Sequence, residues 1–334
     1  MKSAAVVFEA PNQVAVREID IPDPGPDDVV LDTITSWISP GTELSMLRGD
    51  RVHGDTAARP DTPYSFPRVA GYQKIGRVVS VGEHARGFAV GQTAFTTVGR
   101  VQGLFDEWGG QLARSVCPPE QIFALPQGVD PEPFSGAVLT QVGYNAGSRG
   151  VIKQGELAVV LGDGLVGLWT AQTLQLRGAR VWLVGRHEDR LARFRQRPGD
   201  RTIMHTRDQP LEALVDLLTE PIALLVETIG SLRVFEMLTE RMQRDGHLVC
   251  TGFYGLDDAI HIPFIRRKEL SVHTPAGWSR HRLQQTIDLI AQGKLDAASL
   301  ITHRLPVSDA ATAYRMLANR EDNALGVLLQ WPRK

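Results

Sequence analysis

The chain has 334 residues, of which 43% are hydrophobic and 22% charged, with a net charge of −2 at pH 7. That length suggests two domains, and so small a charge gives no electrostatic reason to expect nucleic acid or an anionic membrane surface as a partner. Ala4 to Phe8 is interrupted by Glu9, no later run approaches a membrane span, and two cysteines, Cys117 and Cys250, cannot form a disulfide framework. A cytoplasmic protein is the expectation.

Residues 1 to about 125 read as β-rich, with short alternating segments (AAVVF, DVVLDTI, KIGRVVSV) punctuated by Pro and Gly. The stretch RVAGYQKIGRVVSVG, Arg68 to Gly82, alternates like a half-buried hairpin bent at Gly71-Tyr72-Gln73. Residues 50–66 show almost no apolar periodicity and read as an exposed loop, a candidate lid. From about residue 150 strands and helices alternate. Strands are expected at 157–161, 180–184, 201–204, 222–227, 246–251 and 269–273, and helices at 164–177, 187–197, 209–219 and 231–244. Nearly continuous apolar strands separated by helices predict a parallel sheet covered on both faces. Helices at 279–292 and 308–318 and a strand at 326–330 complete the chain.

Gly162-Asp163-Gly164-Leu165-Val166-Gly167 is G-x-G-x-x-G, placed between an apolar strand and an amphipathic helix. In that context the motif binds a dinucleotide pyrophosphate. Gly162 permits the tight turn, Gly164 lets the backbone approach the phosphates, and Gly167 allows close helix–strand packing. Leu165 and Val166 open the helix, whose first N–H groups are donors. At the end of the next strand an NAD site wants a carboxylate. Gly185 stands there instead, followed by Arg186, with His187 and Arg190 nearby. These cations suit a ribose 2′-phosphate, so NADP is favoured and NAD is the alternative. Thr228, Gly252 and Phe253, at the carboxyl ends of later strands, complete the cofactor set.

Together these segments resemble the medium-chain dehydrogenase/reductase superfamily over nearly the whole chain. The resemblance is carried by GYxxxGxVxxVG at 71–82, Gly109-Gly110 before PPEQIFALPQGV, the glycine motif, Lys268-Glu269-Leu270, and LIAQGKLDAASLITHRLPVSDAATAYRML. The pattern SxxSxGTE, with GY in place of GH, is similar to a zinc-less branch that includes the bacteriochlorophyllide hydroxyethyl dehydrogenases. The resemblance implies an α/β chain, with a GroES-like β-rich catalytic domain at 1–130 and 276–334. Residues 131–275 would form a Rossmann domain with a doubly wound parallel sheet. It further implies a homodimer acting on a small molecule.

Carried over position by position, the zinc ligands of the family's metal enzymes fall on Pro40, Tyr72, Gln73 and near Val138. These residues do not make a zinc centre, so the resemblance implies an enzyme without zinc. Thr42 aligns with the proton-relaying hydroxyl, Glu43 with a carboxylate that orients a ligand, and Tyr72 with a lost ligand. Ser39 flanks the same turn. Thr42, Tyr72, Ser39 and Glu43 are therefore the catalytic candidates, and Lys74 is the expected positive neighbour of the Tyr72 phenol. Val142 occupies the place of a Thr that contacts nicotinamide, with Thr140 as a substitute. Trp37, Phe105, Trp108 and Trp278 suggest a bulky or aromatic substrate. The leading expectation is alcohol/carbonyl oxidoreduction; NADPH-dependent quinone or enone reduction and a non-catalytic dinucleotide sensor stay open.

Overall fold

A computed structural model describes residues 1–53, 56–206 and 214–332. The chain divides into two compact units, one of Met1–Val138, Ser279–Gly293 and Ala297–Lys334, the other of Leu139–Trp278 and Lys294–Asp296. The architecture is α/β, with one mixed and one parallel principal sheet.

The first unit is organised around the strand Val29–Trp37, which is buried along almost its whole length. Its β-branched residues suit a packed, pleated surface. It pairs antiparallel with Lys74–Val81, Arg114–Cys117 and Gly326–Gln330. Pairing with Gly326–Gln330 brings the tail into the same core, where Phe8, Ile38, Leu44, Leu47, Tyr314, Val327 and Trp331 pack together. Trp37 is fully buried, and Cβ atoms at Gly136 or Gly326 would come within 2.8 Å and 2.6 Å of its ring. It is a core residue of this unit.

Two expectations for this unit change. Arg68–Gly82 is not a hairpin: Arg68–Val69 pairs with Val7 and Phe8 in a three-stranded sheet, while Lys74–Val81 joins the seven-stranded one. The chain changes sheets at Gly71-Tyr72-Gln73, which makes that bend a junction. Segment 50–66 is not simply a loop either. Arg51–His53 pairs with Thr56–Ala57, and Arg51 and Tyr64 are buried. The guanidinium of Arg68 lies 4.4 Å from the Tyr64 ring centroid and 4.6 Å from that of Phe105, so cation–π contacts supply the order that periodicity does not reveal.

The second unit holds a six-stranded parallel sheet. From edge to edge it runs Arg201–Met204, Arg180–Gly185, Leu157–Leu161, Ile222–Glu227, Met242–Cys250 and Ser271–His273. Numbered along the chain, the order is 3-2-1-4-5-6, the doubly wound Rossmann arrangement. Leu157–Leu161 and Ile222–Glu227 are buried at every position, as central strands covered on both faces must be. The helix after the glycine motif spans Leu165–Leu176. Two expected helices are shorter than their patterns. Residues 187–197 give only Glu188–Leu191, because the Asp200 carboxylate accepts from the Arg197 and Val181 N–H groups and ties the following chain back to the sheet. Residues 231–244 give Leu232–Leu238, because Met242 already pairs with Ile222 as a strand residue. Of the expected helix 209–219, Leu214–Leu217 is helical and 209–213 lies outside the described residues. Among the described residues no helix is long and apolar enough to cross a membrane.

Candidate functional site

In the first unit the strand Val29–Trp37 leads directly into the helix Pro40–Arg48, with Ser39 as its N-cap and Pro40 in its first turn. An N-cap serine ordinarily turns its hydroxyl onto the helix. Here the Ser39 side chain makes no such bond, and its Oγ accepts from the Tyr72 hydroxyl at 2.7 Å. The capping task passes to Glu43, whose Oε1 accepts the Ser39 N–H at 2.7 Å. Glu43 is fully buried, and its Oε2 accepts from the hydroxyl of Tyr314 on the helix Ala310–Asn319. The Gln111 side chain lies nearby, fixed by the Ser36 hydroxyl, which donates to its Oε1 at 2.5 Å.

Tyr72 is brought to Ser39 by a close backbone approach. A Cβ at Gly110 would stand 2.3 Å from both Gly71 C and Tyr72 N, so the Gly109-Gly110 pair lets the two chain segments touch. Gly71 itself takes φ +75, a value glycine adopts freely. The four catalytic candidates are thus brought together, because the Thr42 hydroxyl also lies close enough to the Tyr72 phenol to favour its ionised form. Ser39 and Glu43 are fully buried, whereas Thr42 and Tyr72 are half-buried. Only the latter two of the four keep exposed surface.

Burial pushes the Tyr72 phenol above its usual 10, partly offset by the hydroxyls of Ser39 and Thr42. The phenol is therefore protonated at neutral pH, which suits a donor and not a base. The cation that favours its ionised form is Arg51, whose Nε donates to Ser45 Oγ at 2.9 Å. Lys74 does not fill that role. Its buried ammonium donates to Thr97 O at 3.4 Å, and burial pulls it down to about 8. Arg51 was hidden to pattern reading inside the segment taken for a loop.

The matched zinc positions do not fit a metal. Pro40 has no donor atom, and Val138 is an apolar side chain, 5% exposed. Tyr72 is bonded to Ser39, and fully buried Gln73 donates to Trp37 O at 3.3 Å. Among the described residues no group of three or more His, Cys, Asp or Glu side chains could hold a metal ion.

In the second unit the glycine turn has the shape of a phosphate cradle. Gly162 takes φ +115, and a Cβ there would meet Thr228 Oγ1 at 2.2 Å. A Cβ at Gly167 would meet Gly162 O at 1.9 Å. Both positions require glycine for packing. At Gly164, by contrast, a Cβ would meet nothing within 4 Å. The missing side chain leaves open space at the N-cap of a twelve-residue helix, beside Leu165 and Val166. These features fit a nicotinamide dinucleotide, whose pyrophosphate the first-turn N–H groups would bind. Thr228 donates through Oγ1 to Leu161 O at 2.6 Å. Arg186 is exposed, and Arg190 lies on the short helix Glu188–Leu191. Gly252 and Phe253 follow the strand Met242–Cys250, and Phe253 O faces Gly230, where a Cβ would stand 2.4 Å away.

Sequence reasoning missed Glu227. It ends the strand Ile222–Glu227 fully buried, and its Oε1 accepts the N–H groups of Ile229 and Gly230 at 2.6 and 2.8 Å. Tyr254 donates to its other oxygen. Glu227 therefore clamps the turn against which Gly162 packs. Its signal was an acid closing an otherwise apolar strand, IALLVE.

Residues 166–292 match the family described as zinc-binding dehydrogenase. Nearly the full chain is similar to 2-desacetyl-2-hydroxyethyl bacteriochlorophyllide A dehydrogenase of Cereibacter sphaeroides, with 26% identity over 342 residues covering 99% of each chain. An uncharacterized zinc-type alcohol dehydrogenase-like protein of Escherichia coli K12 is 25% identical over 358 residues, covering 98% of this chain and 99% of its own. Among solved structures, an E. coli CFT073 protein described as a short chain alcohol dehydrogenase, complexed with NADH, superposes with TM-score 0.83 at 20% identity. That match covers 98% of this chain and 99% of the other. A putative zinc-binding dehydrogenase from Sinorhizobium meliloti 1021 bound to NADP gives 0.77 at 20% identity, covering 99% of each. At these identities the solved structures share the fold.

Glu43 generates a pH prediction. Burial raises its carboxyl from the ordinary 4.5 to about 7, against the hydrogen bonds that favour the anion. The folded chain then binds more protons than the unfolded chain between those values, so stability falls as pH rises through that window. From pH 8 to pH 5.5 the wild type is expected to gain about 2 kcal/mol that Glu43→Gln lacks. Urea unfolding of both proteins at the two pH values measures the difference.

Proposed function

We propose that the chain belongs to the medium-chain dehydrogenase/reductase superfamily, to whose members it is similar over nearly its full length, and that it is a metal-independent, NADP-preferring alcohol/carbonyl oxidoreductase. Its broader class, an oxidoreductase of the alcohol dehydrogenase type, is that of the family. The observation that carries the finer reading is the cluster of three hydroxyls on Ser39, Thr42 and Tyr72, of which Tyr72 stands at a position matched to a zinc ligand of relatives that use the metal.

The nicotinamide, when bound, supplies or takes up the hydride. The oxygen of the substrate then gains or loses charge, and a half-buried pair of donors can stabilise it. Each preorganised donor of this kind is worth about 3–4 kcal/mol. Tyr72, held protonated by its surroundings, donates to the oxygen in the reducing direction, and Thr42 shares that oxygen. Ser39 accepts from Tyr72 and keeps its own proton, so its hydroxyl can turn to donate a hydrogen bond to the phenolate left by proton transfer, which solvent reprotonates at the half-exposed Tyr72. Glu43 touches neither the substrate nor the cofactor in this scheme; it holds the Ser39 turn in place.

The NADP preference rests on the strand end. Gly185 offers no carboxylate to a ribose 2′-hydroxyl, and exposed Arg186 follows it. Neighbours of this fold carry both nucleotides, NADH in the E. coli CFT073 structure and NADP in that from S. meliloti. The substrate is a small molecule, and the exposed rings of Phe105 and Trp108 favour a bulky or aromatic one. A homodimer acting in the cytoplasm, without nucleic acid or membrane, completes the reading.

Two experiments test it. Tyr72→Phe is expected to lower turnover about 100-fold or more with NADPH affinity unchanged. Turnover is assayed on a panel of alcohols, carbonyls, enones and quinones, with and without a chelator. Full activity of the variant, or loss of wild-type activity to the chelator, overturns the phenol mechanism. Arg186→Ala is expected to weaken NADPH roughly 10- to 100-fold, the range of a charge-assisted hydrogen bond, and NADH hardly at all. Equal losses in a fluorescence titration overturn the 2′-phosphate assignment.

A further inference from the structure

The end of the second Rossmann strand is shaped by a residue of the glycine turn. Gly185 closes the strand Arg180–Gly185, and a Cβ built on it would stand 2.4 Å from both Cβ and Oδ2 of Asp163. Asp163 is 6% exposed. Its Oδ2 accepts the backbone N–H of Arg186 at 2.6 Å and that of His187 at 2.7 Å. The Nδ1 atom of His187 lies 3.0 Å from both carboxylate oxygens. A carboxylate rooted at 163 thus fills the volume in which any side chain at 185 would begin. The two positions cannot both carry side chains without displacement of one of them, since real Cβ contacts do not come so close.

We propose that Asp163 and Gly185 are one specificity-determining pair for the ribose of the bound dinucleotide. Asp163 faces inward, bonded to the residues that follow the strand, and denies position 185 the carboxylate that would accept a 2′-hydroxyl. Arg186, its N–H held by Asp163 and its side chain exposed, is then the charged group presented to the 2′ position. The acid of this site stands on the glycine turn and not at the strand end; there it orders the strand end and is not available to the ligand. This rests on the dinucleotide reading above.

Wild type, Gly185→Asp, Asp163→Gly and the double variant test the pair, each by thermal unfolding without ligand and by NADH and NADPH titration. Gly185→Asp alone is expected to lower the Tm by about 3–10 °C, the cost of overpacking. It should also weaken both nucleotides. The double variant is expected to recover most of the Tm and to shift the affinity ratio toward NADH by roughly tenfold or more. Gly185→Ala, made in wild-type and Asp163→Gly backgrounds, reads the same steric exclusion if the aspartate variants do not fold, and it should lower the Tm only where Asp163 remains. Equal effects of a 185 substitution in both backgrounds overturn the pair. A double variant that binds with an unchanged ratio overturns its role in specificity. Failure of the wild type to bind either nucleotide overturns the dinucleotide reading itself.

Discussion

A carboxylate buried away from water must be met by N–H and O–H donors, because an isolated charge in an apolar interior is prohibitively costly. Three such carboxylates sit at the turns that matter in this protein. Glu43 holds the Ser39 N–H and the Tyr314 hydroxyl. Asp163 holds the N–H groups of Arg186 and His187. Glu227 holds those of Ile229 and Gly230, and the Tyr254 hydroxyl. Each satisfies donors that a strand end or helix start would leave unpaired, and each thereby sets the path of the chain at a turn that carries candidate site residues.

This arrangement separates holding from reacting. In the first unit the buried residues Ser39 and Glu43 set the frame, and the half-buried Thr42 and Tyr72 face outward from it. In the second, Asp163 and Glu227 set the frame, and the open space at Gly164 and the exposed Arg186 lie at its edge. Donors kept in position by a fully bonded support need little reorganisation when charge develops on a substrate. The raised Tyr72 phenol follows from the same burial: a site dry enough to make a hydrogen bond count also keeps the phenol protonated.

Much of this was legible along the chain. The Rossmann strands fall where apolar runs of strand length are bounded by turn residues, and Leu157–Leu161, Arg201–Met204 and Ile222–Glu227 match their patterns residue for residue. The helices at 187–197 and 231–244 were overestimated because helical periodicity continues past the point where tertiary bonds take the backbone. Asp200 captures one segment and strand pairing with Ile222 the other. The junction at Tyr72 was misread for a related reason: alternation reports which residues face a core, but not which sheet provides it. Alternation points to Lys74 as the neighbour of Tyr72, while the cation that favours the phenolate, Arg51, comes from a segment with almost no apolar periodicity.

What the sequence by itself determined is local. Glycines at 162, 164 and 167 between a strand and a helix are decided by residue type and near spacing. What only the tertiary structure decided is which distant polar groups meet. Tyr314 lies 271 residues from Glu43, Tyr72 lies 33 from Ser39, and the Asp163 carboxylate is bonded 23 residues on at the Arg186 N–H. Spacing and periodicity describe positions within one element, whereas these contacts arise where separate elements pack. The glycine at 185 can be read from the sequence; the acid that makes it necessary appears only when the two turns lie side by side.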